Sequence, residues 1–508
     1  MRKTRFSSIL QWLHKYFGLL ALIYCVWMAL SGILLNHPQL LKKYSLPNQI
    51  MPTNYQYHNW NRMSWRDAVF STHHDNILYV GGKEGVWQSL DQGKSFKPLA
   101  PGFPTAAYDQ DTYSLLLAAD QDQETLYAGT KSGLFYWQEE SWHRIDHPVL
   151  KAKAVVDLLQ IGNRILAFTD SNAYQAVIHS GRPPVFIPLA LPRDQIQDPV
   201  VPLFRWLLKI HDGSIFGLWG RIFVDFIGLM LFLLCFSGVL IWYVLWRKRR
   251  RRPTFLAGKI FAYNFRWHLK LGIISALFIT IIALSGALVR PPLLIAIIRL
   301  TVPAKLMPGT NANNPWSGQI QRAAYLKAKK KLIIASKQGL FSGPVDGTAS
   351  FTKIPEALPI HGMGAMVFEA VDDHSLLIGS FSGLYIWDTS NRMVMQLKSK
   401  ASWGKPDWGR PTMVTGAAVY QGQPLLVADY EDGLKPLRRH LQLHPAMPAE
   451  IRSQSRISLW NALFELHNGR IFEQFIGPLY WLIVPLGGIS LLIIIFSGTL
   501  IWIRRRRR

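Results

Sequence analysis

Residues 11–37 read QWLHKYFGLLALIYCVWMALSGILLNH, and residues 266–291 read RWHLKLGIISALFITIIALSGALVRP. In both, a histidine (His14, His268) is followed four residues later by a glycine (Gly18, Gly272). The serine of a Leu-Ser-Gly triplet (Ser31, Ser285) comes seventeen residues after each histidine. The offset between the copies is 254, half of the 508-residue chain. A second matched pair shares this arrangement. Ile210-His211-Asp212-Gly213-Ser214-Ile215-Phe216 corresponds to Leu466-His467-Asn468-Gly469-Arg470-Ile471-Phe472. Phe236-Ser237-Gly238-Val239-Leu240-Ile241-Trp242 corresponds to Phe496-Ser497-Gly498-Thr499-Leu500-Ile501-Trp502. The chain is one unit written twice, and each unit is apolar segment, long polar stretch, apolar segment.

Each apolar segment is long and uncharged enough to cross a bilayer as a helix, which takes about 20 apolar residues. The expected spans are Phe17–Leu35, Phe226–Trp246, Leu271–Val289 and Phe475–Ile503. The first is read as a retained helix and not a cleaved leader, because its apolar run is long and GILLNHPQL after Ser31 offers no small-residue cleavage site. Duplicated helix pairs predict a four-helix transmembrane bundle with a pseudo-two-fold axis along the membrane normal. The Ser-Gly in every span predicts close approach between helices.

The charge pattern orients the bundle. The formal net charge is +25, with 56 Lys+Arg against 31 Asp+Glu. Most of that excess sits in three blocks without acids: Arg2 to Lys15, Arg247 to Lys270, and Arg504–Arg508. Each block abuts an apolar run, which marks the cytoplasmic side. Both termini and the 247–270 loop are therefore expected inside, and the two long polar stretches outside. A nucleic-acid binder would spread its basic residues along a docking face, so that class is excluded. The two cysteines, Cys25 and Cys235, lie inside apolar runs and supply neither a disulfide framework nor a thiolate metal site.

The outer stretches carry a second repeat. LYVGGKEGVWQS (from Leu78), LYAGTKSGLFYW (from Leu126) and ILAFTDSNAYQA (from Ile165) share a pattern with LIIASKQGLFSG (from Leu332), LLIGSFSGLYIW (from Leu376) and LLVADYEDGLKP (from Leu425). Each is an apolar strand, a polar turn and a second strand. A spacing of 39 to 49 residues within each half matches a four-stranded propeller blade. Three blades per half predict one six-bladed β-propeller; two separate three-unit domains would leave open edges. Ser89-Leu90-Asp91-Gln92-Gly93-Lys94-Ser95-Phe96 looks like an Asp-box turn, a structural motif.

The expected division is thus 1–36 (first helix with basic start), 37–215 (β half-domain), 216–250 (second helix with basic end), 251–291 (loop and third helix), 292–470 (second β half-domain) and 471–508 (fourth helix with basic tail). The fold class is membrane α + β.

Four of the fifteen histidines are tied to the duplicated helices. His14 and His268 fall at the inner ends of the first and third spans. His211 and His467 precede the second and fourth on the outer side. The pseudo-two-fold brings each pair together, one near each membrane face, and facing imidazoles in a helical bundle are what a bis-histidine b-type haem requires. Gly18 and Gly272, one turn after the inner histidines, would leave room for a porphyrin edge. The competing reading places the histidines at the interface, hydrogen-bonding headgroups. His37 follows His14 by 23 residues, about 35 Å along one helix. The matching place in the second half is Arg290-Pro291-Pro292, so His37 has no symmetry partner. It is open to replacing His211 or His467 at an outer haem, to serving an entering substrate, or to capping the Asn36-His37-Pro38 turn. His361 and His444 lie in propeller-like context and are expected at the surface.

These residues resemble a family. The Trp/Leu-His…Gly segment, Leu-Ser-Gly-x-Leu-Leu-Asn-His at 30–37, and His-Asp/Asn-Gly-x-Ile-Phe before a span ending in Ser-Gly-x-Leu-Ile-Trp look like the PepSY-associated transmembrane proteins. Some members are iron-regulated or ferric-siderophore reductases of bacterial inner membranes. The resemblance covers the four spans and their flanks, about a third of the chain. It implies an inner-membrane protein with haem b, two by the histidine count, moving electrons outward to a periplasmic acceptor such as a ferric siderophore or other metal complex. It places histidines at His14, His268, His211 and His467. Where such proteins often carry a PepSY domain, this chain has propeller-like repeats.

No Gly-x-Gly-x-x-Gly follows a strand, no phosphate loop occurs, and the cytoplasmic parts are short, so electrons would come from a separate flavoprotein or a membrane quinol. Gly-x-Ser-x-Gly and His-Glu-x-x-His are also lacking. Few ionisable residues interrupt the spans, which argues against a solute path. The alternative is a membrane-anchored periplasmic β-propeller that binds a partner or ligand without redox activity.

Overall fold

The structure is a computed structural model of the chain. It describes all residues except 1–4, 121–122, 152, 179–182, 194–199, 251–254, 308–313, 399–411, 438–444 and 507–508. His444 and part of each basic block lie outside the described residues. The chain forms two compact units. One comprises Met1–Leu41, Ile196–Thr310 and Leu459–Arg508; the other comprises Lys42–Gln195 and Asn311–Ser458.

The first unit is helical. Three helices, Ser214–Arg247, Gly258–Leu288 and Arg470–Arg506, are long and apolar enough to cross a membrane. A fourth crossing is made by Phe6–Leu20 with Leu22–Leu35 if that bent pair is one span. The bend is 59°, at Ala21. This corrects the expectation of one straight helix running from His14 to His37. Side chains such as Ile23, Phe236, Leu277 and Phe496 stay exposed on the outside of the helices, as lipid-facing positions do. Ala21, Cys25, Ile227, Met230, Ile279 and Leu491 pack between them.

Two nine-residue helices belong to this unit and not to the β domains in which the expected division put them: Leu203–His211 and Leu459–His467. Each ends on a histidine. Two residues on, Gly213 (φ 75°) and Gly469 (φ 78°) take the left-handed conformation that stops a helix, at little cost for glycine.

The second unit is β. Among the described residues it holds five four-stranded sheets and one three-stranded sheet, all antiparallel, plus a two-stranded ribbon pairing Ser45–Pro47 with Arg456–Ser458. Each repeated sequence string forms the second and third strands of a sheet: Leu78–Gly82 with Gly85–Ser89, and so on to Gln423–Asp429 with Gly433–Pro436. The first strands of the sheets touch in cyclic order: 67–70, 112–120, 155–161, 320–326, 367–370, 414–420, and back to 67–70. Their seams are polar and specific. Asp67 Oδ2 accepts the Leu115 N–H at 2.7 Å, and Asp157 Oδ2 accepts the Ala323 N–H at 2.7 Å. The Arg322 guanidinium meets Asp157 at 3.3 Å and donates to the carbonyls of Val156 and Tyr113. A Cβ on Gly416 would stand 2.6 Å from the Arg66 carbonyl oxygen, so the last sheet closes on the first only with glycine there. The Asp91 turn is tied by Ser89 and Ser95, and Phe96 behind it packs on Trp60 and Trp65.

Three carboxyls gather where the first strands meet. Burial pushes Asp157 up to about 6, against the pull of Arg322. Burial, then Asp67, push Glu369 up to about 8, and burial raises Asp67. An acid whose pKa is higher folded than unfolded gives stability that is complete below its unfolded value. That stability is lost as pH rises through the folded one. The β unit should therefore melt at progressively lower temperature from about pH 4 to pH 9, and Glu369→Gln should flatten the upper part of that slope. Thermal melts followed by near-ultraviolet circular dichroism across this range check it; a melting point that rises with pH would contradict it.

Candidate functional site

The four duplicated histidines meet in two pairs inside the helical unit. The rings of His14 and His268 have centroids 6.2 Å apart, inclined at 81°. Those of His211 and His467 are 6.1 Å apart, inclined at 56°. The sequence offset that pairs His14 with His268 thus pairs them in space.

Each histidine is held through Nδ1 by the Ser-Gly region of another segment. His14 Nδ1 lies 2.9 Å from the Ile494 carbonyl oxygen, with Ser497 Oγ at 3.5 Å. His211 Nδ1 lies 2.9 Å from the Ile282 carbonyl oxygen. A carbonyl only accepts, so in both histidines Nδ1 carries the proton and donates it. His467 Nδ1 meets Ser31 Oγ, and His268 Nδ1 meets Ser237 Oγ, each at 2.8 Å. Both hydroxyls give their hydrogen to a backbone carbonyl: Ser31 to Trp27 at 2.7 Å, Ser237 to Leu234 at 3.0 Å. Their lone pairs are what remains for the imidazole, so Nδ1 is again the donor. The hydrogen-bond network assigns one tautomer to all four rings, with the Nε2 lone pair unprotonated. Among the described residues no hydrogen bond engages any of the four Nε2 atoms.

The adjoining glycines are shaped to the rings. A Cβ on Gly286 would stand 2.6 Å from His211 Cε1, and one on Gly498 would stand 2.8 Å from His14 Cε1. On Gly32 and Gly238 the distances, to His467 and His268, are 3.5 and 3.6 Å. This corrects the reading of the Ser-Gly motif as a helix-approach device: what comes close to each of these glycines is an imidazole edge, not a helix backbone. Gly18, in contrast, has nothing within 4 Å of a built Cβ, and Gly272 has only Leu234 Cδ2 at 3.8 Å.

His37 joins neither pair. Its Nε2 lies 2.7 Å from Asp225 Oδ2, and Asn36 Nδ2 donates to Asp225 Oδ1 at 2.8 Å. The Asn-His turn that ends the first span is thereby tied to the second. Sequence reasoning passed over Asp225; the signal was a lone acid inside an apolar helix, which by its desolvation cost needs a partner. His361 is exposed and touches the Phe381 ring. Among the described residues, no group of three or more His, Cys, Asp or Glu side chains could hold a metal ion.

No curated protein matches the chain. Solved structures that resemble it include the extracellular domain of a one component system of B. thetaiotaomicron (9% identity, 76% of this chain and 40% of that one, TM-score 0.37). Another is the extracellular domain of a hybrid two component system of the same organism (9%, 76% and 40%, 0.35). A third is an ancestral GH74 enzyme (11%, 75% and 37%, 0.35). The chain spans about 40% of the length of these structures. The family described as "PepSY-associated TM region" matches residues 11–505, nearly end to end. The chain is therefore a membrane protein of the PepSY-associated TM family.

Proposed function

We propose that this protein is an electron-transfer protein of the bacterial inner membrane, carrying one b-type haem at each histidine pair. The observation that supports it most is the shared tautomer. Nδ1–H is spent on a carbonyl or hydroxyl in all four rings, and Nε2 keeps the lone pair that a metal takes. Ring spacing agrees: two metal–nitrogen bonds of about 2 Å, plus about 1 Å from each nitrogen to its ring centre, separate the centres by roughly 6 Å. Gly18 adds open space beside the His14–His268 pair. A haem held this way would carry one electron at a time at its iron.

The chain's own part is to fix imidazole orientation and basicity from the neighbouring span. It also excludes water with the apolar faces around Cys25, Ile279 and Leu491. In this reading the four spans form a bundle with both termini cytoplasmic. The six sheets form one six-bladed propeller in the periplasm, built half from each repeat. A flavoprotein or quinol donates electrons, and a ferric siderophore or other metal chelate accepts them. His37 stabilises the bundle through Asp225.

The test is an absorption spectrum. Protein purified in detergent from haem-replete cells should show a Soret band that shifts on adding dithionite. A colourless preparation would remove the redox reading and leave an anchored β domain that binds a ligand or partner.

A further inference from the structure

The surroundings of the His211–His467 pair hold two guanidiniums, Arg290 and Arg470, and a buried amide, Asn468. Arg290 lies one turn beyond Gly286, the glycine on which His211 packs, and its Nη2 donates to the Asn468 carbonyl oxygen at 2.8 Å. It thus bridges the segment against His211 to the residue that follows His467. Arg470 is close enough to Arg290 to repel it, and Glu465, which attracts both, lies 3.4 Å from Arg470. Positive charge thus gathers beside Asn468, a setting that favours an anionic ligand.

A second observation is independent of that balance. Asn468 is only 6% exposed. Its Oδ1 is occupied by the Arg470 N–H at 2.9 Å, which fixes the amide's orientation. Its Nδ2 is buried with no partner among the described residues. Trp27, whose carbonyl receives the Ser31 hydroxyl that holds His467, has an indole N–H in the same condition. A buried amide N–H left unsatisfied costs on the order of 1–3 kcal/mol, so such donors imply an acceptor.

We propose that Arg290 and Asn468 Nδ2 form an oxyanion site beside the His211–His467 pair, filled by a propionate carboxylate of the porphyrin held there. The inference rests on the haem reading, and it names the side chains that fix the macrocycle's rotation about the iron axis. A phospholipid phosphate carries the same acceptor chemistry and is the rival source.

The experiment uses full-length protein bearing His14→Ala and His268→Ala, so that only this pair reports. Prepared from haem-limited cells, it is titrated with haem b and with haem dimethyl ester, whose carboxylates are capped. The parent should bind haem about ten- to a hundredfold more tightly than the diester, the scale of losing an outer-shell partner. Arg290→Gln and Asn468→Leu should each erode that preference, and Arg290→Lys should keep part of it. An unchanged preference in Arg290→Gln and Asn468→Leu would overturn the site. So would an unchanged preference accompanied by loss of bound phospholipid in native mass spectrometry, which would assign the guanidinium to a headgroup. If Arg290→Gln does not fold, the Asn468→Leu ratio decides. A parent with intact His211 and His467 that binds neither form would fail earlier, at the haem reading itself.

Discussion

Replacing His268 by alanine is expected to remove one haem and leave the other, halving the haem-to-protein ratio measured by pyridine haemochrome. Replacing His467 should remove the other haem and spare the first. His268 is within ring contact of His14 alone among the four, and His467 of His211 alone. Because two imidazoles on one iron act as a unit, His14→Ala, His268→Ala and their double substitution should lose the same haem to the same extent. Combining His268→Ala with His467→Ala should give colourless protein. His37→Ala should leave both haems in place, since its Nε2 serves Asp225. Single substitutions at His14 and His268 that each remove about half of the haem, and together all of it, would sink the pairing.

Most of this architecture was legible in the sequence because it is periodic. The duplication, with offsets of 254 and 256 residues, names the histidine pairs, and the repeated strand–turn–strand strings name the middle strands of all six sheets. What was not legible is local and three-dimensional. The bend at Ala21 has no proline to announce it, and it removes the straight-helix distance between His14 and His37. The short helices ending on His211 and His467 look like the tail of a polar stretch, because each is only nine residues long, histidine included, before a left-handed glycine. The Ser-Gly motif was visible four times, yet its use was hidden. Small residues in a span are common for helix packing, and nothing in a linear pattern says that the space is taken by an imidazole from elsewhere in the chain. Asp225 and Arg290 break the duplication, and symmetry cannot predict what breaks it.

The four glycines make a graded test of that imidazole packing. Alanine at Gly286 or Gly498 would set a methyl 2.6 Å from His211 Cε1 or 2.8 Å from His14 Cε1, inside the closest approach of carbon atoms. Neither ring can swing away freely. Nδ1 of His211 is tied to the Ile282 carbonyl and Nδ1 of His14 to the Ile494 carbonyl, each in the turn before the glycine. The methyl must break that bond or push the helix off, and either displaces Nε2. At Gly32 and Gly238 the ring is held from the side by a serine hydroxyl, and the methyl meets Cε1 at 3.5 or 3.6 Å, ordinary contact. Each pair therefore holds one tight and one roomy glycine. Gly286→Ala should lower affinity at the His211–His467 pair by about ten- to a hundredfold, and Gly498→Ala should do the same at the His14–His268 pair. Gly32→Ala and Gly238→Ala should leave haem content and spectrum close to wild type. Because the pairs are compared within one protein, a general loss of folding is distinguishable: it would bleach both haems together. Equal effects of all four alanines would mean that the glycines serve helix packing, with the histidines as bystanders.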